Sequence, residues 1–197
     1  MSGVELSVFT IGHSNHPLDK FVKLLKDYDI DVIADTRSHP YSQYSPHFNR
    51  QTLGHHLAES GVEYEFWGDG LGGRPDQQEF YDDKGYVLYW RLAESPSFLS
   101  ALERLKAILE LHRVALLCSE ENPSVCHRRL LIGRVLHSMG IKVNHIRGDG
   151  RLQTEDEVRN EEGGVGQEVL FSADEVTEWK SIQSGLQKPQ QQISLKG

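Results

Sequence analysis

The chain has 197 residues, 38% hydrophobic and 25% charged, with a formal net charge of −8. That length and composition fit one soluble globular domain with a substantial core, and the acidic balance argues against a general nucleic-acid coat while leaving room for a local basic pocket. Only two cysteines occur, so no disulfide scaffold is expected. No apolar stretch is long enough to span a membrane and no secretory leader is evident, which makes the cytoplasm the expected location and a membrane an unexpected partner.

Val4–Thr10 alternates in part and runs into Ile11-Gly12-His13-Ser14, predicting a strand and then a turn. Behind Pro17, the three- and four-residue spacing of Leu18, Phe21, Leu25 and Tyr28 predicts a helix with one apolar face. Asp31–Asp35 reads as a short buried strand, and 36–48 as a loop punctuated by Pro40 and Pro46. Asn49 is placed to cap a helix through Ser60, with Gly61 as its stop. Val62–Trp67 alternates like a third strand. From Gly68 to about Trp90 the pattern is irregular, as expected of a binding loop or lid. Ser95-Pro96 opens a helix striped by Phe98, Leu102, Leu105 and Leu109. The apolar run Val114–Leu117 then predicts a buried strand. Asn122-Pro123 reads as the cap and first residue of a helix that reaches Met139 and stops at Gly140, before a fifth strand over Ile141–Ile146.

Strands and helices alternating in this order imply a single three-layer α/β domain over 1–147. Its mostly parallel sheet is flanked by helices, Rossmann-like but without the three-glycine dinucleotide fingerprint. Residues 148–183 are expected to form an extension. It would hold a charged helix over Thr154–Glu162, with Thr154 and Glu157 as a capping box, and a second helix capped by Ser172 or Asp174 and carrying Val176 and Trp179. The glutamine-rich residues 184–197 read as a disordered tail.

The densest chemistry lies in Cys118-Ser119-Glu120-Glu121-Asn122-Pro123-Ser124-Val125-Cys126-His127-Arg128. It falls between a strand's carboxyl end and a helix's amino end, the edge where ligands bind in open α/β sheets. Helix amides favour an anion there, and Arg128 is a candidate clamp. The same field would activate Cys118 or Cys126 as a nucleophile, with His127 as its partner. Arginine does not stand six residues after Cys118, where thiol phosphate-loop enzymes carry it, and the cysteines lack the two-residue spacing of thioredoxin-like proteins. Cys118, Cys126, His127 and His13 are also metal-ligand types, although short cysteine pairs are missing, and no metal ligand is assigned on spacing alone. Asp35 and Arg37 follow the second strand, as a structural ion pair or as a general base beside an anion-holding cation.

Four pieces taken together resemble the domain-of-unknown-function 488 family, over about Thr10 to Ile146: Thr10-Ile11-Gly12-His13-Ser14, Asp35-Thr36-Arg37 with Pro40, Leu71-Gly72-Gly73, and Cys118-Ser119-Glu120-Glu121 with Cys126-His127-Arg128. Asp35-Thr36-Arg37 stands where the family usually has aspartate-valine-arginine. The resemblance implies a small bacterial or archaeal α/β domain and no established reaction, with some members standing beside DNA repair or modification systems.

The expected site therefore joins Cys118, Cys126, His127, Asp35 and Glu120 as candidate catalytic groups to Gly12, His13, Ser14, Arg37, Gly72, Gly73, Glu121 and Arg128 as candidate ligand-binding ones. The expected partner is a small anionic or phosphorylated ligand, a nucleotide or a nucleic-acid end. The alternatives are a non-catalytic nucleic-acid or protein-binding accessory, and a metal-dependent enzyme using Cys and His ligands. The cofactor and the oligomeric state stay open.

Overall fold

The computed structural model describes residues 5–162 and 179–184. Five parallel strands form the sheet: β1 (Ser7–Gly12), β2 (Val32–Asp35), β3 (Glu63–Phe66), β5 (Val114–Cys118) and β6 (Lys142–Ile146). A sixth, β7 (Leu152–Thr154), adds antiparallel to β6, and the order across the sheet is β3-β2-β5-β1-β6-β7. β5 sits at the centre, buried along its whole length, as its unbroken apolar run requires of a strand covered on both faces.

Alternation along the strands sorts the core into two layers. Val114 and Leu116 face one side with Phe98, Leu102, Leu105 and Leu109 of α5 (Pro96–Leu109), and with Leu131 and Leu136. Ala115 and Leu117 face the other, against Phe21, Leu24 and Leu25 of α1 (Leu18–Asp27) and Leu53 and Leu57 of α2 (Arg50–Glu59). This is the expected three-layer α/β domain. Each fully buried leucine contributes roughly 1.5–3 kcal/mol, so truncating any one in the middle layer threatens the fold.

Several local expectations hold for their stated reasons. Ser95 accepts a hydrogen bond from the Phe98 amide, with Pro96 at the first position of α5. Thr154 and Glu157 form the capping box of α7 (Glu155–Glu161). Gly61 and Gly140 end their helices with φ of 78°.

Others are corrected. Asn49 precedes α2 but caps nothing, because its carboxamide oxygen accepts the Ser42 amide instead. The stretch from Gly68 to Trp90 is ordered into α3 (Gly68–Leu71), a 3₁₀ turn at Gln78–Phe80, β4 (Tyr86–Leu88) and the start of α4 (Tyr89–Ala93). Asn122-Pro123 opens only a single 3₁₀ turn, Pro123–Val125. Cys126 is then extended (φ −112°, ψ 139°), and the helix starts after it as a π-helical segment, Arg128–Gly133, continuing into α6 (Arg134–Ser138).

Among the described residues of the expected extension, β7 and β8 (Lys180–Ser184) each pair with a strand that precedes them in the chain. β8 pairs antiparallel with β4, and Trp179 just before it donates its indole N–H to the Leu130 carbonyl at 2.7 Å. The helix expected around Val176 and the tail beyond Ser184 lie outside the described residues.

Candidate functional site

The register of the sheet sets the site. Gly12 of β1 pairs with Cys118 of β5, and Asp35 of β2 pairs with Leu117, so three strand ends open at one edge. The loop from Ser119 to His127 rises from the middle one. Backbone hydrogen bonds from His13 to Cys118 (3.0 Å) and from Ser14 to Ser119 (2.8 Å) prolong the β1–β5 ladder and fix the start of that loop.

The loop folds back so that its two thiols, an imidazole and a carboxylate converge. Cys118 Sγ lies 2.8 Å from Glu120 Oε2 and 3.5 Å from His127 Nδ1. Cys126 Sγ lies 3.3 Å from the same carboxylate oxygen and 3.9 Å from the same nitrogen. His127 Nε2 faces the Thr36 carbonyl at 3.0 Å. A carbonyl only accepts, so Nε2 carries the proton and Nδ1 turns a lone pair toward the thiols when the ring is neutral.

The two buried thiols titrate as a pair. Hydrogen bonding with Cys126, then burial, keeps the Cys118 thiol well above its ordinary range. Burial also opposes charge on Cys126, but hydrogen bonding from Cys118, the Arg128 guanidinium and His127 outweigh it and draw that thiol well below the usual range. Burial disfavours the His127 cation, yet contact with Cys126 and the charge of Glu120 raise its pKa. Cys118, Cys126 and His127 also form a cluster of metal-ligand types, each offering an atom within 4.8 Å of the others.

Arg128, the candidate clamp, turns inward. Its side chain is fully buried; the guanidinium donates to the Glu120 carbonyl and, at 2.6 Å, to the Glu121 carbonyl, while Nε reaches Thr10 Oγ1 at 3.2 Å. It holds the loop from within. Gly12 serves the same loop, because a Cβ there would overlap the Glu120 carbonyl. Glu121 faces away from the thiols, paired with Arg147 at 2.9 Å and with the Gly148 amide at 3.0 Å, contacts that lower its pKa, the Arg147 hydrogen bond foremost.

Asp35 and Arg37 form the structural pair. Asp35 is fully buried and accepts from Arg37 Nε (2.8 Å) and Nη2 (2.6 Å) and from the Tyr64 hydroxyl (2.6 Å). Those donors occupy the carboxylate, which leaves it no free edge for base catalysis. His13 completes the group. Nδ1 donates to the Ser14 carbonyl at 2.8 Å, Nε2 accepts from Arg37 at 3.1 Å, and the ring stacks on Phe48. Burial, then the Arg37 charge, lowers its pKa to about 4, so it is neutral at neutral pH.

A cleft of about 330 Å³ opens beside the thiols, in the size range of small-molecule sites. Of the residues expected from sequence, Arg37, Gly73, Cys118, Glu120 and His127 line it. Gly12, His13, Ser14, Asp35, Gly72, Glu121, Cys126 and Arg128 are not part of that lining. The two glycines of the 72–73 pair make room, since a Cβ on Gly73 would overlap the His127 ring and one on Gly72 would overlap the Gly68 carbonyl and Ser38 Oγ. Sequence reading missed His39, Arg74, Tyr89, Ser181 and Gln183, which also line the cleft. Arg74 was legible as the cation next to Gly72-Gly73. Ser181 and Gln183 carried no local signal, because β8 reaches the cleft only by pairing with β4.

The model of the family described as Domain of unknown function DUF488 matches residues 17–135. The chain belongs to the DUF488 family. The match spans β2, the 72–73 glycines and the whole loop from Cys118 to Arg128, and it ends inside α6. No curated protein and no solved structure matches the chain. Membership of DUF488 fixes the family and names no reaction.

Proposed function

We propose that this DUF488 chain is an enzyme-like α/β protein that takes a small anionic ligand, a nucleotide or a nucleic-acid end, into the cleft beside Cys118. The observation that carries this reading is a rim holding Arg74 and His39 beside a set of proton-transfer groups. Among the described residues, Arg74 and His39 line the cleft with no side-chain hydrogen bond or ion pair, so both remain available to an anion. Beside them, His127 lies within reach of both thiols and Glu120 within reach of the same two, the arrangement that acid–base or nucleophilic chemistry requires.

A small ligand is favoured over an extended strand. Arg128 and Arg129 are buried, and Arg147 is paired with Glu121, so few basic groups are left for a row of phosphates. The reading is tested by following thermal unfolding with inorganic phosphate, pyrophosphate and nucleoside monophosphates at matched ionic strength, in wild type and Arg74→Ala. At a hundred times its Kd, a bound ligand stabilises by about 2.7 kcal/mol. At least one phosphate should raise the wild-type midpoint, and Arg74→Ala should lose most of that rise. No shift with any of them overturns the reading.

A further inference from the structure

We propose that Cys118 Sγ, Cys126 Sγ and His127 Nδ1 form a binding site for one divalent transition-metal ion of the zinc class, with a fourth position turned toward the cleft. The inference goes beyond the anion reading and does not depend on it.

Spacing is the first argument. Zinc bonds of about 2.3 Å to sulfur and about 2.0 Å to nitrogen set tetrahedral sulfur and nitrogen ligands roughly 3.5 Å apart. The two sulfur–nitrogen separations are 3.5 and 3.9 Å, the first at that spacing and the second slightly beyond it. The folded loop brings the three together, since Cys118 ends a strand and Cys126-His127 precedes a helix.

Chemistry is the second. Two thiols and an imidazole suit a soft or borderline ion and do not suit magnesium or calcium, which demand oxygen ligands. The ring is already oriented as ligating histidines are. Its Nε2–H donates to the Thr36 carbonyl at 3.0 Å, which leaves Nδ1 free to bind. Gly73 leaves the space in which that ring lies. Two sulfurs, where a Cys–His nucleophilic pair would use one, are accounted for by joint ligation.

The fourth position follows from the lining. Cys118 and His127 border the cleft, and Cys126 is not part of its lining, so the ion would be reached from the cleft side. Glu120, 2.8 Å from Cys118 Sγ, is placed to close that position or to yield it to a ligand. Three protein ligands and one exchangeable position is the pattern of reactive zinc rather than structural zinc. On loading, two metal–sulfur bonds form; the Cys118 S–H bond breaks, any proton still held on Cys126 Sγ or His127 Nδ1 leaves with it, and these protons go to solvent while Nε2 keeps its own.

The test is Co²⁺ and Zn²⁺ binding to the reduced full-length chain, with proton release measured in weak buffer. Wild type should bind one ion per chain with release of protons, and with Co²⁺ show sulfur-to-cobalt charge transfer and the intense visible bands of a tetrahedral site. Cys118→Ser and Cys126→Ser should each weaken the charge-transfer band, and the double variant should abolish it while circular dichroism stays unchanged. A folded wild type that shows no stoichiometric binding and no charge-transfer band overturns the proposal. A metal-binding protein that ignores phosphates would instead overturn the anion reading, and Arg74→Ala, which should keep the metal, separates the two.

Discussion

Gly12 and Arg128, far apart in sequence, meet the same carbonyl. The Glu120 carbonyl lies where a Cβ on Gly12 would be, and it accepts a hydrogen bond from the Arg128 guanidinium. One residue makes way for the loop and the other pulls it in, so the position of Cys118 and Glu120 depends on both. The familiar pieces of the sequence converge in this way: Gly73 makes room for His127, Thr36 orients it, and Thr10 receives Arg128.

Gly12→Ala should therefore destabilise the protein by about 1–3 kcal/mol, the usual cost of forcing an atom into packed backbone. Gly54→Ala is the contrast. It lies within α2, where an added Cβ meets only the Tyr64 ring at 3.4 Å, and alanine should stabilise the helix by roughly 0.5–1 kcal/mol. Urea unfolding of both variants tests the opposite signs.

Arg128→Met should cost about 2–3 kcal/mol, because it leaves the part-buried Glu120 and Glu121 carbonyls without their charged donor. Arg128→Lys should recover only part of this, since an ammonium lacks the planar fork that reaches both carbonyls and Thr10. Equal stability of wild type and Arg128→Met in denaturant titration would remove the buried-organiser role.

Acid should weaken the protein through Glu155. This carboxylate accepts from His145 at 3.1 Å and from Arg129 at 2.9 Å, and those contacts, with the Arg129 charge, overcome burial and hold its pKa at about 2. The folded value lies below the unfolded one of 4.5. The contribution is thus complete above pH 4.5, is lost as pH falls toward 2, and is on the order of 3 kcal/mol. Unfolding free energies between pH 6 and pH 2.5 should fall more steeply for wild type than for Glu155→Gln. Parallel curves would contradict the assignment.

Arg74→Ala should leave stability within about 0.5 kcal/mol of wild type, since the exposed side chain has no ion pair among the described residues. Its phosphate affinity should fall about tenfold, as loss of a charged hydrogen bond predicts. Denaturant titration and calorimetry on the same sample separate the two effects.

The layer architecture was legible because β5 is an unbroken apolar run and α1 and α5 carry regular stripes. Convergence of Cys118, His127 and Glu120 was legible from their place at a strand end. The inward turn of Arg128 was not, because an arginine beside a polar loop looks like a surface cation until its buried acceptors are seen. The start of the helix was misplaced because Asn122-Pro123 caps a single turn as well as it caps a helix, and nothing local marks the extended Cys126. β8 escaped because its partner β4 lies about a hundred residues earlier, and pairing at that distance leaves no periodic trace.

The central claim is that an anion enters the cleft over Cys118, and the most direct measurement is alkylation of reduced, metal-stripped protein, read residue by residue by mass spectrometry. Cys118 is the thiol that lines the cleft, so its modification rate reports on what enters there. Pyrophosphate should slow the Cys118 reaction in wild type and have little effect in Arg74→Ala. A Cys118 rate unchanged by phosphate, pyrophosphate and nucleoside monophosphates would contradict the account.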